Sequence, residues 1–163
     1  TVGSKCYFIS DVSHLTWLPD RPYTAGEWGY VNGKGRSTTS EIYNTVDGPV
    51  YQTWMEDITE YKIDAPAGTY EVELLMADVS RPARQQANLL GKGDERASAV
   101  SKRFDITICG EVVEQNFSPA DNNRYLNACR RRYIVNNNDG FIDIRFTPLQ
   151  GKPVLSGLKV RRL

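Results

Sequence analysis

The sequence predicts an all-β fold, a two-sheet antiparallel β-sandwich, on three observations. The strongest apolar runs alternate with a period of two, they are short, and turn residues separate them at near-regular intervals. Alternation is what a strand with one buried face requires, because successive side chains point to opposite faces of a sheet. The chain has 163 residues, 40% of them hydrophobic, which suits one domain with one core. Residues 1–163 are read as that single domain.

Taken in order, the turns Asp47-Gly48-Pro49 and Ala65-Pro66-Ala67-Gly68 lead into the first strong strand. Tyr70 to Met76 alternates and then becomes wholly apolar. Ala83 to Ser101 is polar and interrupted by Gly91 and Gly93, so it reads as a long loop between two core strands, with room for one helical turn. Arg103 to Cys109 places Phe104, Ile106 and Ile108 on one face. Gly110 then turns the chain into Glu111-Val112-Val113, which makes a hairpin and leaves Cys109 as a small buried hydrophobe. Arg132 to Val135 enters Asp139-Gly140, read as a second hairpin turn, and Phe141 to Phe146 returns with Ile142, Ile144 and Phe146 facing inward. After Gly151-Lys152-Pro153, Leu155 to Val160 forms the last strand.

Charge narrows the function classes. Lys+Arg and Asp+Glu number 20 each, so no long-range field draws the chain to nucleic acid or to an anionic membrane, and neither is an expected partner. No run of about 18 apolar residues is present. The cysteines Cys6, Cys109 and Cys129 are odd in number, and His14 is the single histidine, so no metal and no cofactor is expected. Asp121-Asn122-Asn123 and Asn136-Asn137-Asn138-Asp139 read as turns rather than calcium loops. The start at Thr1, without a basic-then-apolar leader, reads as a processed product or an excised domain.

Catalysis finds no support in the motifs. Glu27, Glu41, Glu56, Asp57, Glu60 and Asp78 are candidate carboxylates, but no spacing singles out the pair that a glycosidase sets across a sugar bond. His14 follows Ser13, and no GxSxG elbow exists. Gly33-Lys34-Gly35 and Gly91-Lys92-Gly93 lack the further glycines of a nucleotide loop. No catalytic residue is assigned, and the chain is read as non-catalytic.

Sugar binding asks for other chemistry. A pyranose offers an apolar face of C–H groups, on which an aromatic ring packs, and a rim of hydroxyls, which amides, carboxylates and guanidinium groups satisfy. Between residues 17 and 54 lie Trp17, Tyr23, Trp28, Tyr30, Tyr43, Tyr51 and Trp54, interleaved with Asp20, Arg21, Glu27, Asn32, Arg36 and Gln52. Arg21 to Tyr30 is rich in turn formers and reads as loop. Trp28, Tyr30 and Trp54 are the candidate platforms, with Glu56, Asp78 and Arg81 as hydroxyl partners and the segment from Arg81 to Ser101 as one wall. Core packing is the alternative for each ring. Arg130-Arg131-Arg132, with Arg124 nearby, reads as a solvated or salt-bridged strand face, with acidic-sugar binding as the lesser reading.

Four stretches carry a family resemblance. They are Asp20-Arg21-Pro22-Tyr23-Thr24 with Trp28-Gly29-Tyr30-Val31; Val50-Tyr51-Gln52-Thr53; Tyr61 through Asp78; and Lys102-Arg103-Phe104-Asp105-Ile106 with Gly140 to Phe146 and Gly151 to Leu158. Over about Asp20 to Arg162 the chain resembles the malectin and malectin-like domains, and most of all those appended to bacterial glycoside hydrolases of the β-galactosidase type. The resemblance implies a jelly-roll, malectin-like sandwich that binds oligo- or polysaccharide as a non-catalytic module of a multidomain enzyme. It also implies a parent catalytic domain as partner, and a periplasmic or extracellular place as part of an exported bacterial enzyme. The alternative is a structural domain that packs on the parent enzyme without binding sugar. Departures fall at the family's binding positions: Ser80-Arg81 stands where the family has an aromatic pair, Gln150 where it has an acid, and Trp54 and Glu56 near its tyrosine. The family's glucose specificity is therefore not carried over.

Overall fold

The computed structural model describes residues 1–80, 101–121 and 124–163. The chain forms β1 (Phe8–Ile9), β2 (Thr16–Trp17), β3 (Trp28–Tyr30) and β4 (Lys34–Ser37), then a one-turn helix α1 (Gly48–Tyr51). There follow β5 (Thr53–Glu56), β6 (Glu60–Asp64), β7 (Gly68–Met76), β8 (Arg103–Ile108) and β9 (Glu111–Phe117). β10 (Cys129–Asn137), β11 (Phe141–Gln150), β12 (Val154–Leu155) and β13 (Gly157–Arg162) complete the described elements.

The fold is an antiparallel β-sandwich. One sheet has the order β3-β6-β11-β8-β9, and the facing sheet β10-β7-β13. Alternation delivers the core as expected. Phe104, Ile106 and Ile108 of β8 and Ile142, Ile144 and Phe146 of β11 meet Tyr70, Val72, Leu74 and Met76 of β7 in one buried cluster. Phe104 sits at its centre, edge-on to Phe117 at 5.5 Å and to Phe146 at 6.0 Å between ring centroids. A third sheet, β12-β5-β4, adds Met55 and Leu155 to the same cluster.

β7 explains its own sequence. Its even-numbered residues face the main core, while Leu75 and the following Ala77 pack into a second cluster with Trp17, Ile42, Val50 and Tyr51. A strand covered on both faces has no solvent side, so its end reads as a continuous apolar run.

The structure corrects four expectations. Asp139-Gly140 does not close a hairpin: β10 pairs with β7, whereas β11 pairs with β6 and β8. The turn instead carries the chain from one sheet to the other, and Asn137 anchors it. The Asn137 side chain accepts the Asp139 and Gly140 N–H groups at 3.1 Å and donates to the Ala65 carbonyl at 2.9 Å. Cys109 is half-buried rather than buried, because it is itself a turn residue. Ile108 faces Glu111, so Cys109 (φ 50) and Gly110 (φ 79) form a two-residue loop with both φ positive, which matches the strand twist. Trp28 to Tyr30, expected in a loop, is strand β3, held by β6 on one side and by the Tyr23 N–H to Tyr30 carbonyl bond of 2.8 Å on the other. Asp47-Gly48-Pro49 opens α1, with Pro49 in the first helical turn, where its missing N–H costs nothing. The long-loop expectation for Ala83 to Ser101 lies outside the described residues except at Ser101.

Candidate functional site

β3 places Tyr30 opposite Tyr61 of β6, half-buried against the core. The outer side of Tyr30 borders a concavity of ≈ 600 Å³ that Asp20, Arg36, Lys5, Ser37 and Met55 also line. Asp20 is held there by three donors: the Gly3 N–H at 2.8 Å, the Arg21 N–H at 3.0 Å and the Tyr61 hydroxyl at 3.0 Å. Burial pushes the Asp20 carboxyl up from the ordinary aspartate value, and those bonds oppose the rise. Arg36 of β4 reaches Glu56 of β5 at 3.3 Å, and Lys152 lies 4.0 Å from the same carboxylate. The cavity is thus lined by a ring, the acidic Asp20 and the basic Arg36, the kind of donor and acceptor set that a sugar's hydroxyl rim requires.

The candidate rings do not converge. Trp28 borders a separate, apolar groove of ≈ 340 Å³ with Leu15, Trp17, Leu18, Ile63 and Val160. The Arg21 guanidinium stacks on Trp28, 4.5 Å from the ring centroid. Trp54 is buried, and its indole N–H has no acceptor among the described residues. Core packing, the alternative for each ring, therefore describes Trp54, while Tyr30 keeps an open side. Glu56 is half-buried and engaged by Arg36.

Asp78 is fully buried. It meets the Lys102 ammonium at 2.6 Å and accepts the Ser80 N–H at 2.9 Å. The pair clasps the end of β7 to the approach of β8. Arg81 and the wall from Arg81 to Ser101 lie outside the described residues, Ser101 aside.

Sequence reasoning left Asp20 and Arg36 outside the candidate set. Both stand among the polar residues interleaved with the rings, but nothing local singles them out, and Lys34-Gly35-Arg36-Ser37 has no apolar alternation to mark it as a strand. A third concavity, of ≈ 500 Å³, is lined by Arg124, Arg130, Arg131, Asn44, Tyr51 and Asn127, with Asp121 also on its wall. The arginine run divides in the fold, because successive side chains of β10 point to opposite faces of the sheet. Arg132 turns to Glu73 at 3.0 Å, whereas Arg131 lies 3.2 Å from Glu114 with its guanidinium 5.0 Å from the Phe117 ring centroid.

The Malectin domain family profile matches residues 3–157. No curated sequence matches the chain. Among solved structures, a β-glucuronidase of Bacteroides uniformis is similar at 44% identity with a TM-score of 0.86, over 99% of this chain and 17% of that one. The plant receptor-like kinase FER is similar at 15% identity and a TM-score of 0.70, over 99% of this chain and 40% of that one. The extracellular domain of ANXUR2 from Arabidopsis thaliana is similar at 14% and 0.69, over 98% and 46%. The plant likenesses speak for the fold alone. The chain spans about a sixth of the glycosidase it matches, at 17% of that length.

Proposed function

This chain belongs to the malectin-domain family, and from that premise we propose that it is a non-catalytic carbohydrate-binding domain of a glycoside hydrolase. Residues 1–163 act as one binding unit, and the sugar rests in the concavity beside Tyr30. One observation carries this reading. Tyr30 is the candidate ring that borders a polar cavity, with Asp20 and Arg36 on the wall and Glu56 held by Arg36. The ring takes the apolar face of a pyranose while the charged groups take its hydroxyls. The parent enzyme is read as a glycosidase of β-glucuronidase type, because the relative of 44% identity is one. The β-galactosidase type expected from the sequence has no such support. Exported placement, periplasmic or extracellular, belongs to the same reading. Tethering raises the local encounter of enzyme and polysaccharide even when each contact is weak.

The test is a titration with a panel of neutral oligosaccharides, followed by tryptophan fluorescence and calorimetry. Binding by at least one member is expected, with Tyr30→Ala weakening it about tenfold through loss of the stacking platform. A panel that leaves both signals flat, at concentrations where related modules saturate, removes the proposal.

A second reading has an observation of its own. Tyr7, Ile9, Val12, Leu15 and Leu18 surround the β1–β2 hairpin, each at least 41% exposed. An apolar patch of this kind marks an interaction surface, here for the parent catalytic domain. Co-purification with that domain, abolished by a Leu15→Glu, Leu18→Glu double substitution, supports this reading; unchanged co-purification ends it.

A further inference from the structure

We propose that the concavity at the head of β10 is a second binding site, specific for a carboxylate-bearing sugar such as a uronic acid residue. The site is separate from the one beside Tyr30 and does not depend on it. Arg124, Arg130 and Arg131 all line this concavity, with Asp121 as the acidic residue on its wall. Among the described residues, the neighbouring carboxylates are already occupied. Glu73 serves Arg130 at 3.6 Å, Arg132 at 3.0 Å and Lys159 at 3.4 Å at once. Glu114 serves Arg131 and also accepts the Tyr133 hydroxyl at 3.1 Å. Asp121 lies 3.8 Å from Arg103. Among the described residues, the ion pairs leave Arg124 without a carboxylate.

Like charges gathered along one concavity repel, and an incoming anion relieves that repulsion. A planar carboxylate fits the guanidinium fork with two parallel hydrogen bonds. The remaining lining suits the rest of a sugar. Asn44 and Asn127 offer amides, and the Asn127 amide is oriented by its bond to the Tyr125 carbonyl at 2.9 Å. Tyr43, 52% exposed, directly precedes Asn44. The volume, ≈ 500 Å³, falls within the range of small-ligand pockets. An extended polyanion fits less well, because the chain as a whole carries no net charge.

The experiment titrates the whole protein calorimetrically with methyl β-glucuronide, methyl β-glucoside, a sulfated glucoside and acetate, at low and high salt. The glucuronide is expected to bind at least about tenfold more tightly than the glucoside, and to weaken with salt. Arg124→Gln is expected to remove about tenfold of that affinity, and Arg124→Lys an intermediate share. Arg145→Gln, on β11 of the other sheet, controls for general loss of positive charge. Equal binding of glucuronide and glucoside, or full affinity in Arg124→Gln, overturns the proposal. So does acetate alone matching the glucuronide, which leaves a simple anion site, or the sulfated sugar matching it.

Discussion

Glu73 shows how a single side chain is tuned by its neighbours. Burial would raise its pKa, but the Arg132 bond and the Lys159 and Arg130 charges outweigh burial and hold it below the ordinary glutamate value of 4.5. A carboxylate depressed in the folded state stabilises above its unfolded pKa, and that stability is lost as pH falls through the folded value. Urea unfolding from neutral pH down through the acid range should therefore show a loss of stability below about 4.5, and Glu73→Gln should flatten that slope. Asp20 has the opposite sign, since its raised pKa favours the folded state at low pH and partly offsets the loss. Asp78 poses a starker case. Asp78→Ala leaves Lys102, whose side chain is 10% exposed, without its partner. A cost of about 3–5 kcal/mol is expected by denaturant unfolding, with much of it recovered in a double substitution to Asp78→Ala, Lys102→Met. A double variant no more stable than the single one would show that the pair is not the cause.

At the scale of elements, the turn after β10 is the informative case. Asp139-Gly140 has the composition of a hairpin turn, yet the two strands it joins lie in different sheets. The Asn137 side chain, 1% exposed, links the turn to the Ala65 and Pro66 carbonyls at 2.9 and 3.2 Å. Asn137→Ala removes the side-chain partner of two N–H groups and two carbonyls, and should cost about 1–2 kcal/mol by thermal or urea unfolding. A loss below about 0.5 kcal/mol would mean that water replaces the side chain there. Gly3 performs a comparable task where the N-terminal segment meets β5. A Cβ at this position would stand 2.4 Å from the Trp54 carbonyl carbon, at a φ of +77, so Gly3→Ala should be destabilising by about 2 kcal/mol or more.

For the whole molecule, the cavities sort by chemistry. The apolar groove of Trp28 lies near the exposed hydrophobics of the N-terminal hairpin, the Tyr30 concavity mixes ring and charge, and the β10 concavity is rich in arginine. A protein that holds ligands at two of these sites should gain stability from each. At about one hundred times the dissociation constant, each ligand should add about 2.7 kcal/mol, read as a rise in Tm. Saturating both sites together should give a larger rise than either ligand alone. A second ligand that adds nothing would place both in one site.

The sequence by itself determined the class of fold, the course of β7, β8 and β11, and which of their residues face inward. Alternation is a local property, written into neighbouring side chains, and Ile142, Ile144 and Phe146 need no distant partner to declare their face. The arginine run was equally legible as a run. Tertiary structure alone decided which strand β10 joins, because its partner lies more than fifty residues earlier in the chain and is selected by what both strands bury. It also decided that Trp54 is enclosed while Tyr30 borders a cavity, and that Arg132 is neutralised while Arg124 has no carboxylate among the described residues. Exposure and charge balance are sums over neighbours from several strands, and no spacing along one strand encodes such a sum.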